Sequence, residues 1–128
     1  SEAQTMKQEL HAKLTVRIFA DQKCFGPGVA ELLRRVRELH SLRAAAMSMN
    51  MAYSKAWTVL RTAQDDLGFK LLHSSTGGKN GGGATLTPEG ERMLAAYEDY
   101  CARLNVYSES IFAETFGFYH ELTGEDKA

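Results

Sequence analysis

The chain has 128 residues, enough for one domain with a single hydrophobic core. Its 44% hydrophobic and 24% charged residues are ordinary for a soluble globular protein and exclude a disordered or fibrous chain. No apolar run approaches the roughly 20 residues that span a membrane, and the polar first ten residues lack the apolar stretch of a secretory signal. Cys24 and Cys101 have no metal-ligand spacing, so we expect a reduced, cytoplasmic protein without a metal site.

The formal net charge of −1 conceals an uneven distribution of charge along the chain. Residues 33–79 carry eight basic and three acidic side chains, a net +5, whereas residues 80–128 carry three basic and nine acidic ones, a net −6. A basic middle followed by an acidic tail is typical of a DNA reader with a separate partner-facing segment. Many charged runs are only solvated faces, so this distribution alone does not establish a nucleic-acid partner.

The first half of the chain is predicted to hold a strand and a helix. Residues 1–12 are expected to form an N-terminal arm. Alternating apolar and polar residues from Lys13 to Phe19 predict a half-buried strand, with which Cys24 and Phe25 can pair briefly. Gly26-Pro27-Gly28 then breaks the pattern. Apolar residues at helical spacing predict an amphipathic helix next: Val29, Leu32, Leu33, Val36 and Leu39.

Two further helices are predicted between Ser41 and Gly68. Ser41 can cap a short alanine-rich helix from Leu42 to Met49, and Asn50 can adopt the left-handed conformation that ends it. A third helix is expected from about Ala52 to Asp66, with Trp57 in the core. Its apolar side consists of Tyr53, Ala56, Trp57, Leu60 and Leu67, and its polar side of Ser54, Lys55, Thr58, Arg61, Thr62 and Asp65.

A hairpin and a long helix complete the predicted elements. Phe69–Ser74 and Ala84–Leu86 read as strands joined by a glycine-rich loop. Thr87 can cap the last helix, and Pro88 suits its first position. A heptad-like seam within 88–118 indicates a dimerisation helix, followed by a tail at 119–128. The predicted dimer interface consists of Met93, Tyr97, Tyr100, Leu104, Tyr107 and Ile111, although its three tyrosines could equally pack on the domain itself.

Two helices joined by a three- or four-residue turn and followed by a β-hairpin form a winged helix-turn-helix, here residues 13–87. The predicted fold class is α+β, mainly α, with a long C-terminal helix. In this plan the free face of the third helix can enter the DNA major groove. An ordinary solvent-facing helix side would look the same. The glycine loop does not fit a nucleotide site, because His73 and Asn80 stand where a glycine and a Ser or Thr are required.

Two segments carry a family resemblance: Tyr53-Ser54-Lys55-Ala56-Trp57, and the run from Ser75 to Gly90 that contains the glycine loop. Together with Phe25-Gly26-Pro27-Gly28, they resemble the N-terminal DNA-binding domain of the molybdate-responsive ModE transcriptional regulators, over roughly residues 13 to 105. The fold is similar to that of the LysR-type DNA-binding domain. The resemblance implies that Tyr53 to Arg61 reads bases, that the Gly77 to Gly83 wing follows the phosphate backbone, and that the helix after Thr87 pairs two subunits.

This chain departs from that family pattern in two respects. Asn50 and Ala52 stand where such proteins often have a glycine and a capping serine, which can loosen the start of the third helix by up to ~1 kcal/mol. The chain ends where the family's molybdate-binding domains would begin, so we expect no molybdate binding.

The predicted partner is therefore double-stranded DNA, bound by a homodimer without a cofactor, a membrane or an enzymatic activity. A winged-helix module that binds only proteins is the alternative. The residues expected to contact DNA are Arg43, Tyr53, Ser54, Lys55, Thr58, Arg61, Thr62, Thr76, Gly77, Gly78, Lys79 and Asn80.

Overall fold

The computed structural model describes residues 9–75 and 83–124. The described residues form five helices and four short strands, and the chain divides into two compact units. The first unit is Thr15–Asp99, and the second comprises the chain before Thr15 together with the chain from Tyr100 onward. Within the described ranges, no helix is both long and apolar enough to cross a membrane.

The first unit begins with a small hairpin of β1 (Ile18–Phe19) and β2 (Lys23–Phe25), paired antiparallel. The expected pairing of Cys24 and Phe25 is confirmed, but the strand predicted from Lys13 is much shorter. The partner strand has only three residues, so it cannot pair with the backbone before Ile18. That preceding segment is held instead by a side chain, because the Val16 carbonyl accepts a hydrogen bond from the Tyr97 hydroxyl at 2.8 Å.

Helix α1 (Pro27–Leu39) follows, with Pro27 in its first turn. The glycine-proline segment therefore starts this helix as well as ending the hairpin, since proline is already preset for the first helical position. Val29, Leu32, Leu33 and Val36 are buried as predicted, whereas Leu39 is exposed. The helix ends at His40, whose φ of 57° places it in the left-handed region.

The helix-turn-helix itself consists of α2 (Leu42–Ser48) and α3 (Tyr53–Leu67), joined by residues 49–52. The Ser41 hydroxyl accepts a hydrogen bond from the Ala44 N–H at 3.0 Å, which confirms the predicted cap. Asn50 has a φ of 55°, as expected for the residue that turns the chain after α2. Gly68, with a φ of 89°, ends α3.

The wing pairs β3 (Leu72–Ser74) with β4 (Ala84–Leu86), in the register Leu72↔Leu86 and Ser74↔Ala84. The strand predicted from Phe69 starts three residues later. Its expected first residues bond to side chains instead of a partner strand, because Thr87 Oγ1 donates to the Lys70 carbonyl and the Leu71 N–H donates to Gln64 Oε1.

Thr87 joins the wing to helix α4 (Pro88–Phe116). Its backbone N–H donates to the Leu71 carbonyl at 3.0 Å, and its hydroxyl accepts from the Gly90 N–H at 2.8 Å, as a helix cap does. Gly90 is packed against the Leu71 backbone so closely that a Cβ there would overlap the Leu71 carbonyl. The start of α4 therefore has a fixed position on the wing.

The core of the first unit gathers side chains from the hairpin, the helices and the wing. Its largest fully buried members are Phe25, Leu32, Leu33, Val36, Leu60, Leu71 and Leu94. Tyr97 joins them, with 7% of its surface exposed and its ring centroid 5.1 Å from that of Phe25. Tyr97 is therefore a core residue, and we remove it from the predicted dimer interface.

The second unit contains the part of α4 from Tyr100 onward and a short helix, α5 (Tyr119–Thr123). The segment from 119 was predicted as a tail, but its described part is helical as far as Thr123. Three aromatic rings stack in series here, with centroids 4.8 Å apart for Phe112 and Phe116 and 6.2 Å apart for Phe116 and Phe118.

The contact between Gly90 and the Leu71 backbone predicts that Gly90→Ala destabilises the fold. The added methyl group meets main-chain atoms that cannot move without breaking the Thr87 hydrogen bonds, so we expect a loss of about 1–3 kcal/mol in the free energy of unfolding. Gly28→Ala is the matched control, because its Cβ would have nothing within 4 Å and the position is helical. Urea unfolding should show Gly28→Ala neutral or slightly more stable; equal losses for both variants would contradict the close packing.

The start of α3 yields a second prediction. Ala52 has the extended backbone of an N-cap, with φ −64° and ψ 142°, but offers no side-chain acceptor. Ala52→Ser should therefore raise the free energy of unfolding by about 1 kcal/mol, because its hydroxyl can accept a hydrogen bond from the first turn. Ala95→Ser, on the exposed side of α4, is the control and should cost about 0.5 kcal/mol. If thermal unfolding shows that Ala52→Ser is less stable than the wild type, a hydroxyl at this position does not cap α3.

Candidate nucleic-acid interface

The polar side of α3 is exposed to solvent. Ala56, Leu60 and Ala63 are buried on the opposite side of the helix, against the rest of the unit. The predicted contact residues share the free side and are all exposed: Ser54, Lys55, Thr58, Arg61 and Thr62. Their side chains are short, hydroxylated or cationic, which are the types that hydrogen-bond to base edges and phosphates.

Two cations dominate this face. Neither Lys55 nor Arg61 forms an ion pair with any residue of the ranges 9–75 and 83–124. Thr58 Oγ1 donates to the Ser54 carbonyl at 3.0 Å, so this hydroxyl keeps its acceptor capacity for a ligand. The face therefore offers positive charge and hydrogen-bonding groups that are not occupied by strong internal partners.

A stacked arrangement places a third cation beside the start of α3. The Arg43 guanidinium lies 4.1 Å from the centroid of the Tyr53 ring, and the Tyr53 hydroxyl accepts a hydrogen bond from Trp57 Nε1 at 2.7 Å. Trp57 is half-buried and not fully in the core as expected, because its ring nitrogen is satisfied at the edge of the unit. Tyr53 thus positions Arg43, a role that cannot be predicted from the residue types alone.

The arginines of α1 do not add to this positive surface. Arg34 pairs with Glu98 and with Glu31, both at 2.6 Å, and Arg37 pairs with Glu91 at 2.5 Å. These hydrogen bonds raise the pKa of each guanidinium, for Arg34 chiefly through Glu98 and for Arg37 through Glu91.

Arg35 is committed in the same way. It pairs with Glu31 at 2.7 Å, and this hydrogen bond is the main reason why the pKa of the Glu31 carboxyl is lowered. Three of the basic residues counted in the net +5 of residues 33–79 therefore serve the internal packing of α1. The described basic residues of this segment that form no ion pair within 9–75 and 83–124 are Arg43 on α2, Lys55 and Arg61 on α3, and Lys70.

The predicted wing contacts, Thr76, Gly77, Gly78, Lys79 and Asn80, lie outside the described residues. The base of the wing is described and is well anchored. The Ser75 N–H donates to the Gly83 carbonyl at 2.9 Å, and the Ala84 N–H donates to the His40 carbonyl at 3.0 Å. Gln64 on α3 reaches the other strand, where its Oε1 accepts from the Leu71 and Leu72 N–H groups at 2.9 and 3.3 Å.

Gln64 is a positioning residue that sequence reasoning missed. It fixes the wing relative to the exposed face of α3, but glutamine on a helix has no pattern that distinguishes this role from a solvated side chain. Its effect is to tie α3 to the start of strand β3.

The predicted interface residues on α4 differ in their exposure. Met93 is half-buried in the first unit. In the second unit Tyr100, Tyr107 and Ile111 are 52%, 67% and 44% exposed, and Leu104 is half-buried. A groove of about 350 Å³ runs along this part of the helix, lined by Leu14, Leu104, Tyr107, Ile111, Phe112 and Phe116 among others.

Comparison with known proteins gives a family match over residues 29–91. Residues 29–91, from α1 to the first turn of α4, match the model of the bacterial regulatory helix-turn-helix proteins of the LysR family. The chain is 35% identical over 89 residues to the transcriptional regulator ModE of Haemophilus influenzae, covering 70% of this chain and 33% of that protein. It is 32% identical over 89 residues to the DNA-binding transcriptional dual regulator ModE of Escherichia coli K12, covering 70% and 32%.

A third relative is the molybdenum-pterin-binding protein MopB of Rhodobacter capsulatus, with 38% identity over 66 residues, covering 52% of this chain and 24% of MopB. The chain spans about a quarter to a third of the length of these curated relatives. Residues 29–91 are therefore a LysR-type helix-turn-helix domain, in a chain that is homologous to the N-terminal region of the ModE and MopB proteins.

Proposed function

We propose that this chain is the DNA-binding part of a transcriptional regulator, without enzymatic activity, that inserts α3 into the major groove of duplex DNA. One observation carries the proposal: α3 buries Ala56, Leu60 and Ala63 and leaves a polar face on which Lys55 and Arg61 have no ion-pair partner in the described chain. The names of the ModE relatives, which describe transcriptional regulators, support the same function.

The contacts divide by chemistry. Ser54, Lys55, Thr58, Arg61 and Thr62 face the base edges, where cations pair with guanine acceptors and hydroxyls serve either base edges or phosphates. Arg43, held over Tyr53 at the other helix of the motif, suits a phosphate contact that fixes orientation. Thr76, Gly77, Gly78, Lys79 and Asn80 belong to the loop that we place along the phosphate backbone.

We also propose that the regulator is a homodimer paired through the second unit. Exposed apolar side chains follow one side of α4 at the spacing of a helix seam, and the groove beside them is apolar. A second copy of the chain offers an identical seam, so a two-fold arrangement would cover both. Such a dimer would present two recognition helices to half-sites about 34 Å, or a multiple of this, apart along the DNA.

The first test of function measures DNA affinity against salt. With about five to eight phosphate contacts, the slope of the logarithm of the binding constant against the logarithm of the salt concentration should be roughly −5 to −7.

Lys55→Ala and Arg61→Ala remove cations from the groove face, so at least one should relax sequence preference at a cost of about 1–3 kcal/mol in binding free energy. Lys79→Ala should weaken all sequences alike.

Arg92→Ala, an exposed cation of the same unit on α4, is the control for these variants and should leave affinity nearly unchanged. Equal, sequence-independent losses for Lys55→Ala, Arg61→Ala and Lys79→Ala would contradict base reading by α3. If the protein binds no duplex at low salt, a winged-helix module that binds only proteins is the better-supported function.

The second test concerns the dimer. Tyr107→Glu places a charge on a 67% exposed seam residue, so it should give a folded monomer with DNA affinity about tenfold lower or more. Leu104→Glu should act in the same way, although its half-buried side chain also contributes to packing. Ala102→Glu adds the same charge at an exposed position off the seam and should remain dimeric. Light scattering measures the oligomeric state, and circular dichroism shows whether each variant is folded. A wild-type protein that is monomeric at high micromolar concentration would refute the dimer.

A further inference from the structure

A cavity of about 400 Å³ lies within the first unit, between the β1–β2 hairpin, the start of α1 and one side of α3. Core residues that are already almost fully buried, Phe25, Val29 and Ala63, lie beneath its floor, so they offer little surface to a ligand. Met51 and Val59 extend this apolar lining toward α3. A volume in this range is typical of a site for a small organic molecule.

The rim of the same cavity is cationic. Arg17 and Lys23 come from the two sides of the hairpin, and Lys55 comes from α3. The side chain of Arg17 lies across Gly26, since its Cγ is 3.4 Å from the position that a Gly26 Cβ would occupy. Within residues 9–75 and 83–124, no aspartate or glutamate lines the cavity, and none of the three cations pairs with a carboxylate.

The combination of apolar walls and a positive rim restricts the ligand. A bare inorganic anion would gain nothing from Met51 and Val59, and a DNA phosphate would be met by protruding cations without any need of an apolar recess. A neutral apolar molecule would gain nothing from the three cations, which are exposed and hydrated. An anion with an apolar body satisfies both parts of the site.

We propose that this hairpin cavity binds a small organic anion, a carboxylate or sulfonate that carries an aromatic or branched aliphatic body. The body packs on the half-buried side chains of Met51 and Val59. The acidic group lies at the rim, where Arg17, Lys23 and Lys55 can hydrogen-bond to it.

Such a ligand would also regulate DNA binding, an extension that rests on the function proposed above. Lys55, Thr58 and Thr62 line the cavity and also belong to the exposed face of α3. A ligand that engages Lys55 withdraws this cation from DNA, so ligand and DNA should weaken each other's binding by the same factor.

The test uses naphthalene-1-sulfonate as the probe and the free protein in isotope-edited NMR. The amide resonances of Val59, Ala63 and Gly28 should shift in a saturable way. Naphthalene-1-methanol has the same ring system without the charge, so it should bind at least about tenfold more weakly. Sodium sulfate has the charge without the ring system, so it should not shift the resonances of the wall residues.

Variants separate this cavity from the apolar groove on the second unit. The double variant Arg17→Gln/Lys23→Gln should weaken the sulfonate about tenfold, whereas Lys70→Gln, an exposed cation outside the cavity, should not. Val59→Phe should fill the recess and remove binding of both naphthalene compounds. Equal affinity for the sulfonate and the alcohol, or shifts confined to residues 104–116, would overturn the proposal.

The regulatory extension has its own measurement. In a DNA titration of the wild-type protein, the sulfonate should lower DNA affinity, and Arg17→Gln/Lys23→Gln should be less sensitive to it. Unchanged DNA affinity at saturating probe would refute the coupling. If the wild-type protein binds no DNA at all, the function proposed above fails, while the NMR titration still decides whether the cavity binds organic anions.

Discussion

The buried hydroxyl of Thr87 fixes the relation between the wing and the long helix. It donates to the Lys70 carbonyl and accepts from the Gly90 N–H, while its backbone N–H donates to the Leu71 carbonyl. A polar side chain in a residue that is only 2% exposed must satisfy its hydrogen bonds internally, and the two bonds of the hydroxyl do so. Because the two strands of the wing pair only over three residues, this junction, with Gln64 on the other side, determines where the loop after Ser75 emerges.

Local signals made the helix-turn-helix predictable from the sequence. Ser41, Asn50, Gly68 and Thr87 act at the termini that they were expected to mark, because caps and left-handed residues depend on their immediate neighbours. The exposed polar face of α3 followed from periodicity alone. These features required no knowledge of contacts between distant parts of the chain.

Long-range contacts account for what the sequence did not reveal. Tyr97 fits a helix seam by its spacing, but its hydroxyl reaches Val16, 81 residues earlier, and its ring packs on Phe25. The strand from Lys13 fails for a similar reason, since its partner is too short to continue the ladder. Periodicity identifies the apolar side of an element but not whether that side meets its own domain or a second chain.

Counting charges along the sequence likewise does not show which charged residues pair with each other. The arginines of α1 raised the net charge of the middle segment, yet the ion pairs of Arg34 with Glu98 and of Arg37 with Glu91 connect α1 to α4. These pairs are partly exposed, so each contributes little stability, about 0–1 kcal/mol. Their larger effect is to remove positive charge from one side of the unit. Lys55 and Arg61, which have no ion pair in the described chain, therefore indicate the positive face of α3 better than the net charge of residues 33–79 does.

Lys55 stands where two surfaces meet, the exposed face of α3 and the rim of the hairpin cavity. One ammonium group cannot form its strongest hydrogen bonds with a base or phosphate and with a bound carboxylate or sulfonate at the same time, because both need its few donors in different directions. The two ligands can therefore weaken each other's binding only through the residues that both of them contact, which are Lys55, Thr58 and Thr62. The larger the part of the ligand's binding that Lys55 contributes, the more the ligand lowers DNA affinity. The position of the acidic group along the rim thus sets the strength of regulation, and a longer or shorter apolar body would move it toward or away from α3.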